Sequence, residues 1–168
     1  LRRKLSEGGT HILTKSTLQE ICGENRVTSV KTSTGNLSCD MVILAIGIRP
    51  ATAFLARTEI EMERGLIITD EYQRTNIPDI YAVGDCAMVK NRITDKRQWS
   101  AMGSTANIAG RNLALNLGGE ETAYKGVLGT GIAKLSKNLS AAKVGLTETA
   151  AKENGYDTVS VTCVSDDK

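Results

Sequence analysis

The chain has 168 residues, 40% hydrophobic and 24% charged, with a net charge of +2, so a soluble globular protein is the expectation. Aromatic residues make up only 4% and no basic stripe forms, which argues against base stacking on nucleic acid and against an anionic lipid surface. The longest apolar run, Met41 to Ile48, is far too short to span a bilayer.

Residues 1–9 read as the tail of an amphipathic helix, stopped by Gly8-Gly9 in the left-handed exit that glycine favours. His11 to Thr14 is a short strand candidate, followed by Thr17 to Cys22 and Arg26 to Thr32. Thr34-Gly35-Asn36 supplies a turn, and Leu37 to Cys39 pairs back. Asp40 leads into MVILAIG, a continuous aliphatic run that fits a parallel strand buried on both faces, ended by Gly47 and turned away by Arg49-Pro50. A short helix is expected over Ala51 to Arg57, then strands at Gly65 to Thr69 and Ile80 to Val83. After Gly84-Asp85 the chain reads as polar and irregular through Arg97. A long helix is expected from about Trp99 to Leu117, with small residues at Ala101, Thr105, Ala109 and Ala114 and a stop at Gly118-Gly119. Val127 to Lys134 and Leu139 to Val144 read as antiparallel strands. Thr147 to Asn154 reads as a helix with Thr147 as N-cap, Glu148 in its first turn and Gly155 at its end, and Thr158 to Val164 as a last strand.

The four cysteines, Cys22, Cys39, Cys86 and Cys163, show no CxxC spacing, and His11 is the single histidine. A zinc site is therefore not expected, and free thiols in a reducing cytoplasm are the simplest reading. GVLGTG, Gly126 to Gly131, lacks both the G-x-G-x-x-G order and the strand-to-helix setting of a phosphate loop, so a β-turn between sheet strands is the better reading. His11 has no acid or nucleophile identifiable nearby, so no triad can be argued. Asn36-Leu37-Ser38 and Asn138-Leu139-Ser140 match the glycosylation pattern, which without a secretory signal carries no meaning.

The most informative segment is Thr75 to Asp85, TNIPDIYAVGD: a Thr, a Pro-bearing turn, a short apolar strand and Gly-Asp at its end. Gly84 has no Cβ, so a ligand can approach the backbone there. Asp85 at the carboxyl end of a strand can accept hydrogen bonds from two hydroxyls, each worth about 1.5–3 kcal/mol. A turn Asp that caps the next helix is the plainer alternative. Cys86 follows directly and reads as a small buried hydrophobe rather than a redox group.

Three segments together carry a family resemblance. AIGIRP (Ala45 to Pro50), GLIITDEYQRTNIPDIYAVGDCA (Gly65 to Ala87) and YKGVLGTGIAKLSKNLSAAKVGLTETAAKENGYD (Tyr124 to Asp157) resemble, in order, the later part of a FAD-dependent pyridine nucleotide-disulfide oxidoreductase. The last stretch is closest to the NADH oxidase, NADH peroxidase and coenzyme A-disulfide reductase branch. The resemblance implies an α/β fold: incomplete Rossmann-like FAD- and NAD(P)-binding segments, followed by the start of an α+β dimerisation domain. It implies boundaries at 1–47 for the NAD(P) part, 48–119 for the FAD part and 120–168 for the dimerisation part. It puts Asp85, with Gly84, on the ribityl chain of FAD, and turns a helix start at Gln98, Trp99, Ser100 and Ala101 towards the flavin. Ala106, Gly110 and Arg111 match an A-x-x-x-G-R pattern read as packing. No catalytic residue is assigned.

The same resemblance implies what is lacking. Neither G-x-G-x-x-G loop nor the redox cysteine region is present. The chain opens on Leu1 and breaks off at Lys168 (DDK), so a piece of a larger protein is expected. The parent would be a homodimeric cytoplasmic enzyme that passes electrons from NAD(P)H through FAD to a disulfide, peroxide or oxygen, with the piece alone inactive. The alternative is a non-catalytic interaction module that keeps the dimerisation-type fold. A piece with uncovered edges is expected to self-associate, or to hold its ordered core in residues 120–168 and part of 10–46.

Overall fold

The computed structural model describes residues 2–137 and 139–164. Leu1, Asn138 and Ser165 to Lys168 lie outside them, and with them the Asn138 glycosylation match and the DDK end. The chain divides after Ile48 into two compact units.

The first unit opens with α1 (Arg2–Glu7). Its end is a Schellman motif: the Thr10 N–H reaches the Leu5 carbonyl at 3.1 Å, the Gly9 N–H reaches that of Ser6 at 3.0 Å, and Gly9 sits at φ 81°. A three-stranded antiparallel meander follows, β1 (Leu18–Cys22), β2 (Ser29–Thr32) and β3 (Gly35–Ser38), in the order β1-β2-β3. Thr32 pairs with Gly35, so the tight turn lies over Ser33 and Thr34.

Two strand expectations fail in this unit. His11 to Thr14 forms no strand, and neither does MVILAIG. Ile43 is 82% exposed and Ile46 87%. The physical reason is pairing: β1 and β3 flank β2, and among the described residues no strand runs beside 41–47. An extended segment without neighbours has nothing to take its N–H and C=O groups.

The second unit holds the core. A short 3₁₀ turn at Ala53–Leu55 stands where a helix is expected. β4 (Met62–Glu63) and β5 (Leu66–Ile67) form a hairpin whose two turn residues, Arg64 and Gly65, have φ of 52° and 80°. Both positive angles suit the turn that matches strand twist. The Thr52 hydroxyl donates to the Gly65 carbonyl at 2.6 Å and fixes the hairpin. Ile80 to Val83 does not extend into a ladder strand; Tyr81 makes one bridge, to Arg74. Between Asp85 and Trp99 the structure replaces the expected irregular stretch by a second hairpin, β6 (Met88–Lys90) and β7 (Arg97–Trp99).

α2 spans Gly103–Leu117, four residues shorter at its start than expected, and buries Thr105, Ala109 and Asn112 along one face. Of the A-x-x-x-G-R positions, Ala106 lies against Gly84, whereas Gly110 meets open space and Arg111 is exposed, so neither of the last two packs. The Gly126 to Gly131 stretch is an approach to a strand rather than a turn between strands: Val127 bridges to Asn91, and β8 (Gly131–Ser136) then pairs with β9 (Leu139–Lys143). α3 (Glu148–Glu153) closes the unit, and Thr158 to Val164 forms no strand, with Val159 92% exposed.

Every buried residue among those described falls between Thr52 and Asn112. Ile67, Ala82 and Ala87 form the centre, with Leu55, Ile60, Met62 and Cys86 packed around them. The expectation of a core in 120–168 and 10–46 is thus overturned. The segment that carries TNIPDIYAVGD brings its own partners, β5 and α2, in the same chain, whereas among the described residues β8, β9 and α3 bury none fully. The Thr147 hydroxyl accepts the Ala150 N–H at 3.3 Å, as the sequence predicts for an N-cap. Thr147→Ala is expected to lower stability by about 1 kcal/mol, read as a matching shift in the urea midpoint with unchanged slope.

Candidate functional site

Three local devices shape the approach to Gly84-Asp85. Asp70 accepts the N–H groups of Tyr72 and Arg74 at 2.8 and 2.9 Å, which bends the chain back on itself. The Thr75 hydroxyl donates to the Ile80 carbonyl at 2.9 Å and accepts the Ile77 N–H at 3.2 Å, so this Thr closes the Pro78 turn. Asn76 accepts the Glu61 N–H at 2.8 Å and donates to the Glu59 carbonyl at 2.7 Å, tying that turn to the lead into β4. The sequence pattern T-N-x-P is therefore a self-fastening loop, and the Ala82–Gly84 segment emerges from it in a fixed direction.

Gly84 sits at φ 89°, and a Cβ there would stand 3.9 Å from the Ala106 methyl on α2. The Gly84–Ala87 turn closes with the Ala87 N–H on the Gly84 carbonyl at 3.1 Å. Within it, the Cys86 carbonyl accepts the Ile67 N–H at 2.8 Å, and the Asp85 carbonyl accepts the Trp99 indole N–H at 2.8 Å. The Asp85 side chain is exposed, and among the described residues its carboxylate has no partner. It caps no helix. The Cys86 thiol is half-buried and donates to the Val83 carbonyl at 3.5 Å, in keeping with a packing role.

The residues expected to start a helix beside the flavin are placed differently. Gln98 and Trp99 belong to β7, Ser100 and Ala101 link it to the helix, and α2 begins only at Gly103. The β-ladder decides this: Gln98 pairs with Val89 and Trp99 with Met88, and that backbone pairing outweighs helix formation until Met102. The Gln98 side chain is engaged by Asn91 Nδ2 at 2.7 Å, and the Ser100 hydroxyl bonds that of Thr105 at 2.9 Å. No acidic residue lies in the first turn of α2. Among the described residues, the N–H groups of Gly103, Ser104 and Thr105 have no acceptor, so the positive end of the helix is uncompensated.

Gln98, Trp99, Ser100 and Ala101 together line one cleft of about 440 Å³, closed by Gly129, Thr130 and Gly145. Gly84 lines another, of about 410 Å³, with Gln73, Lys90 and Tyr124. Burial pushes the Tyr124 phenol up from its ordinary range. The hydrogen bond from Lys90 to Asp95, 2.9 Å, holds that ammonium above its usual value. Trp99 thus joins the two groups of predicted residues, by reaching across to Asp85.

Sequence reasoning missed Asn91. It is 4% exposed, its Oδ1 accepts the N–H groups of Ile93 and Thr94, and its Nδ2 holds Gln98. Asn91 and Asp95 bracketing Ile93-Thr94 are the turn signal that could have revealed the β6–β7 hairpin. Among the described residues, no group of three His, Cys, Asp or Glu could hold a metal, and no helix is long and apolar enough to cross a membrane.

Residues 1–112 match the family described as "Pyridine nucleotide-disulphide oxidoreductase". An NAD(P)H sulfur oxidoreductase (CoA-dependent) of Pyrococcus furiosus is 38% identical over 136 residues, which is 80% of this chain and 30% of that protein. An NADH oxidase of Streptococcus pneumoniae is 35% identical over 158 residues, 94% of this chain and 34% of that protein. The crystal structure of a FAD-dependent pyridine nucleotide-disulphide oxidoreductase from Desulfovibrio vulgaris superposes with a TM-score of 0.82 at 36% identity, covering 94% of this chain and 40% of that one. The chain spans about a third of the length of the curated relatives it matches.

Proposed function

This chain belongs to the pyridine nucleotide-disulphide oxidoreductase family, and from that premise we propose that it forms part of the FAD site of a longer NAD(P)H-dependent oxidoreductase. The observation that carries the proposal is the Gly84-Asp85 turn, whose carboxylate is exposed and, among the described residues, without a partner, near a helix whose own first turn holds no acidic residue. Those residues fit FAD: the Asp85 carboxylate would accept from ribityl hydroxyls, Gly84 would leave room beside the backbone, and the free N–H groups at Gly103 to Thr105 would favour a negatively charged group. Trp99, through its bond to the Asp85 carbonyl, would tie the Gln98 to Ala101 segment to that turn. When bound, FAD supplies the electron-carrying chemistry between NAD(P)H and a disulfide, peroxide or oxygen acceptor. The chain's own residues orient and hold the cofactor, and none of them is assigned a catalytic role.

Residues 1–47 would then complete an NAD(P)-binding domain, 48–119 the FAD-binding domain, and 120–168 the beginning of a dimerisation domain in a cytoplasmic homodimer. The relatives' names, a sulfur oxidoreductase and an NADH oxidase, support an acceptor of the sulfur or oxygen type. The test is spectroscopic. The longer protein purified from cells should carry the two visible flavin bands, and the 168-residue chain alone should carry neither. A colourless longer protein that also takes up no added FAD would overturn the proposal.

A further inference from the structure

The three carbonyls of the Gly84–Cys86 turn are satisfied in two different ways. Gly84 and Cys86 accept from backbone N–H groups, those of Ala87 and Ile67. The carbonyl between them, that of Asp85, accepts from a side chain, the Trp99 indole at 2.8 Å, and from no other donor among the described residues. Backbone pairing anchors that indole in turn: Trp99 pairs with Met88 on the β6–β7 ladder, and Met88 is 7% exposed. Trp99 itself is only half-buried, so filling a core does not account for a tryptophan there.

The bond acts on the peptide plane that follows Asp85. With the carbonyl held, rotation of that plane is restrained, and with it the direction of the Asp85 Cα–Cβ bond. We propose that Trp99 is a positioning residue for the cofactor site: through the Asp85 carbonyl, its indole N–H fixes where the Asp85 carboxylate points and thereby sets FAD affinity. The inference rests on the FAD reading above. It also gives the β6–β7 hairpin a purpose, since the ladder places the indole 14 residues downstream of the carbonyl it holds.

The test is a double-mutant cycle on FAD affinity in the longer protein, titrating FAD into apoprotein. Trp99 is replaced by Phe, and separately by β-(3-benzothienyl)alanine, which keeps the indole shape and lacks the N–H; should W99F fail to fold, the analogue carries the test. Each is made with Asp85 intact and with Asp85→Ala. Loss of one neutral hydrogen bond should weaken FAD about five-fold with Asp85 intact, and by less than about two-fold once the carboxylate is gone. An equal weakening in both backgrounds would show a merely structural role and overturn the inference. So would unchanged affinity in both Trp99 variants while Asp85→Ala weakens binding, an outcome that leaves the FAD reading standing. Unchanged affinity in Asp85→Ala overturns both together. Because Trp99 is the single tryptophan of the 168-residue chain, its indole ¹⁵N–¹H resonance is assigned without ambiguity. A downfield indole ¹H shift, as for a hydrogen-bonded N–H, is expected, and the shift of a free indole would remove the bond on which the inference stands.

Discussion

Replacing Asp85 by Ala should weaken FAD binding to the longer protein by about 10- to 100-fold while leaving the fold unchanged. The magnitude follows from a net loss of one charge-assisted hydrogen bond of about 1.5–3 kcal/mol, at about 1.4 kcal/mol per tenfold. The fold is spared because the carboxylate is exposed and bonds to nothing else among the described residues. The backbone carbonyl that Trp99 holds survives the substitution. A change of that kind at a surface side chain falls within about 0.5 kcal/mol of neutral. Asp85→Asn keeps one acceptor oxygen without its charge and should fall between the wild type and Ala. Fluorescence titration of FAD into apoprotein reads the affinity, and urea unfolding of the same proteins reads the fold. Equal affinity in all three would remove Asp85 from the cofactor site.

The largest effect on stability is expected at Gly126. Its φ is 82°, and a Cβ there would lie 2.2 Å from the Lys90 carbonyl oxygen and 3.0 Å from its carbon. Both are backbone atoms, so no side chain can swing aside. Any relief must open the bond from the Val127 N–H to that same Lys90 carbonyl, 2.9 Å, and the neighbouring bond from the Arg92 N–H to the Val127 carbonyl, 2.9 Å. Gly126→Ala should therefore cost more than about 3 kcal/mol, the sum of a left-handed alanine and a broken pair of bonds. Gly110→Ala is the control: it lies inside α2 and would meet no atom within 4 Å. That substitution should stabilise by about 0.5–1 kcal/mol. Thermal unfolding of the two variants beside the wild type separates them. A Gly126→Ala protein that melts with the wild type would mean that the 124–130 segment does not grip the β6–β7 hairpin.

That hairpin shows where local reading runs out. Its tip is held from several sides: by Val127, by the Tyr156 hydroxyl donating to the Ile93 carbonyl at 2.5 Å, and by the Lys96 ammonium on Asn154 at 2.8 Å. The Tyr156 and Lys96 contacts span about sixty residues of sequence, and no pattern within 88–99 announces them. The sequence reading starts the following helix at about Trp99, because a local pattern knows nothing of a partner strand. Once β6 is in place, Trp99 is taken from the expected helix into the ladder and α2 starts at Gly103.

What the sequence determined by itself was the chemistry written into short range: the Gly9 exit of α1, the Thr147 cap, the self-fastening Thr75–Ile80 turn, and the Gly-Asp that names the family. Each of these depends on a backbone angle or a hydrogen bond a few residues away, which composition and spacing encode directly. Tertiary structure decided what depends on distant neighbours. MVILAIG has the composition of a buried strand, yet it is exposed and unpaired, because burial is a property of the surface opposite and not of the segment. Asp85 and Trp99 were each legible as candidates for one site; that they are joined by a hydrogen bond follows only from the ladder that brings β7 back beside the turn.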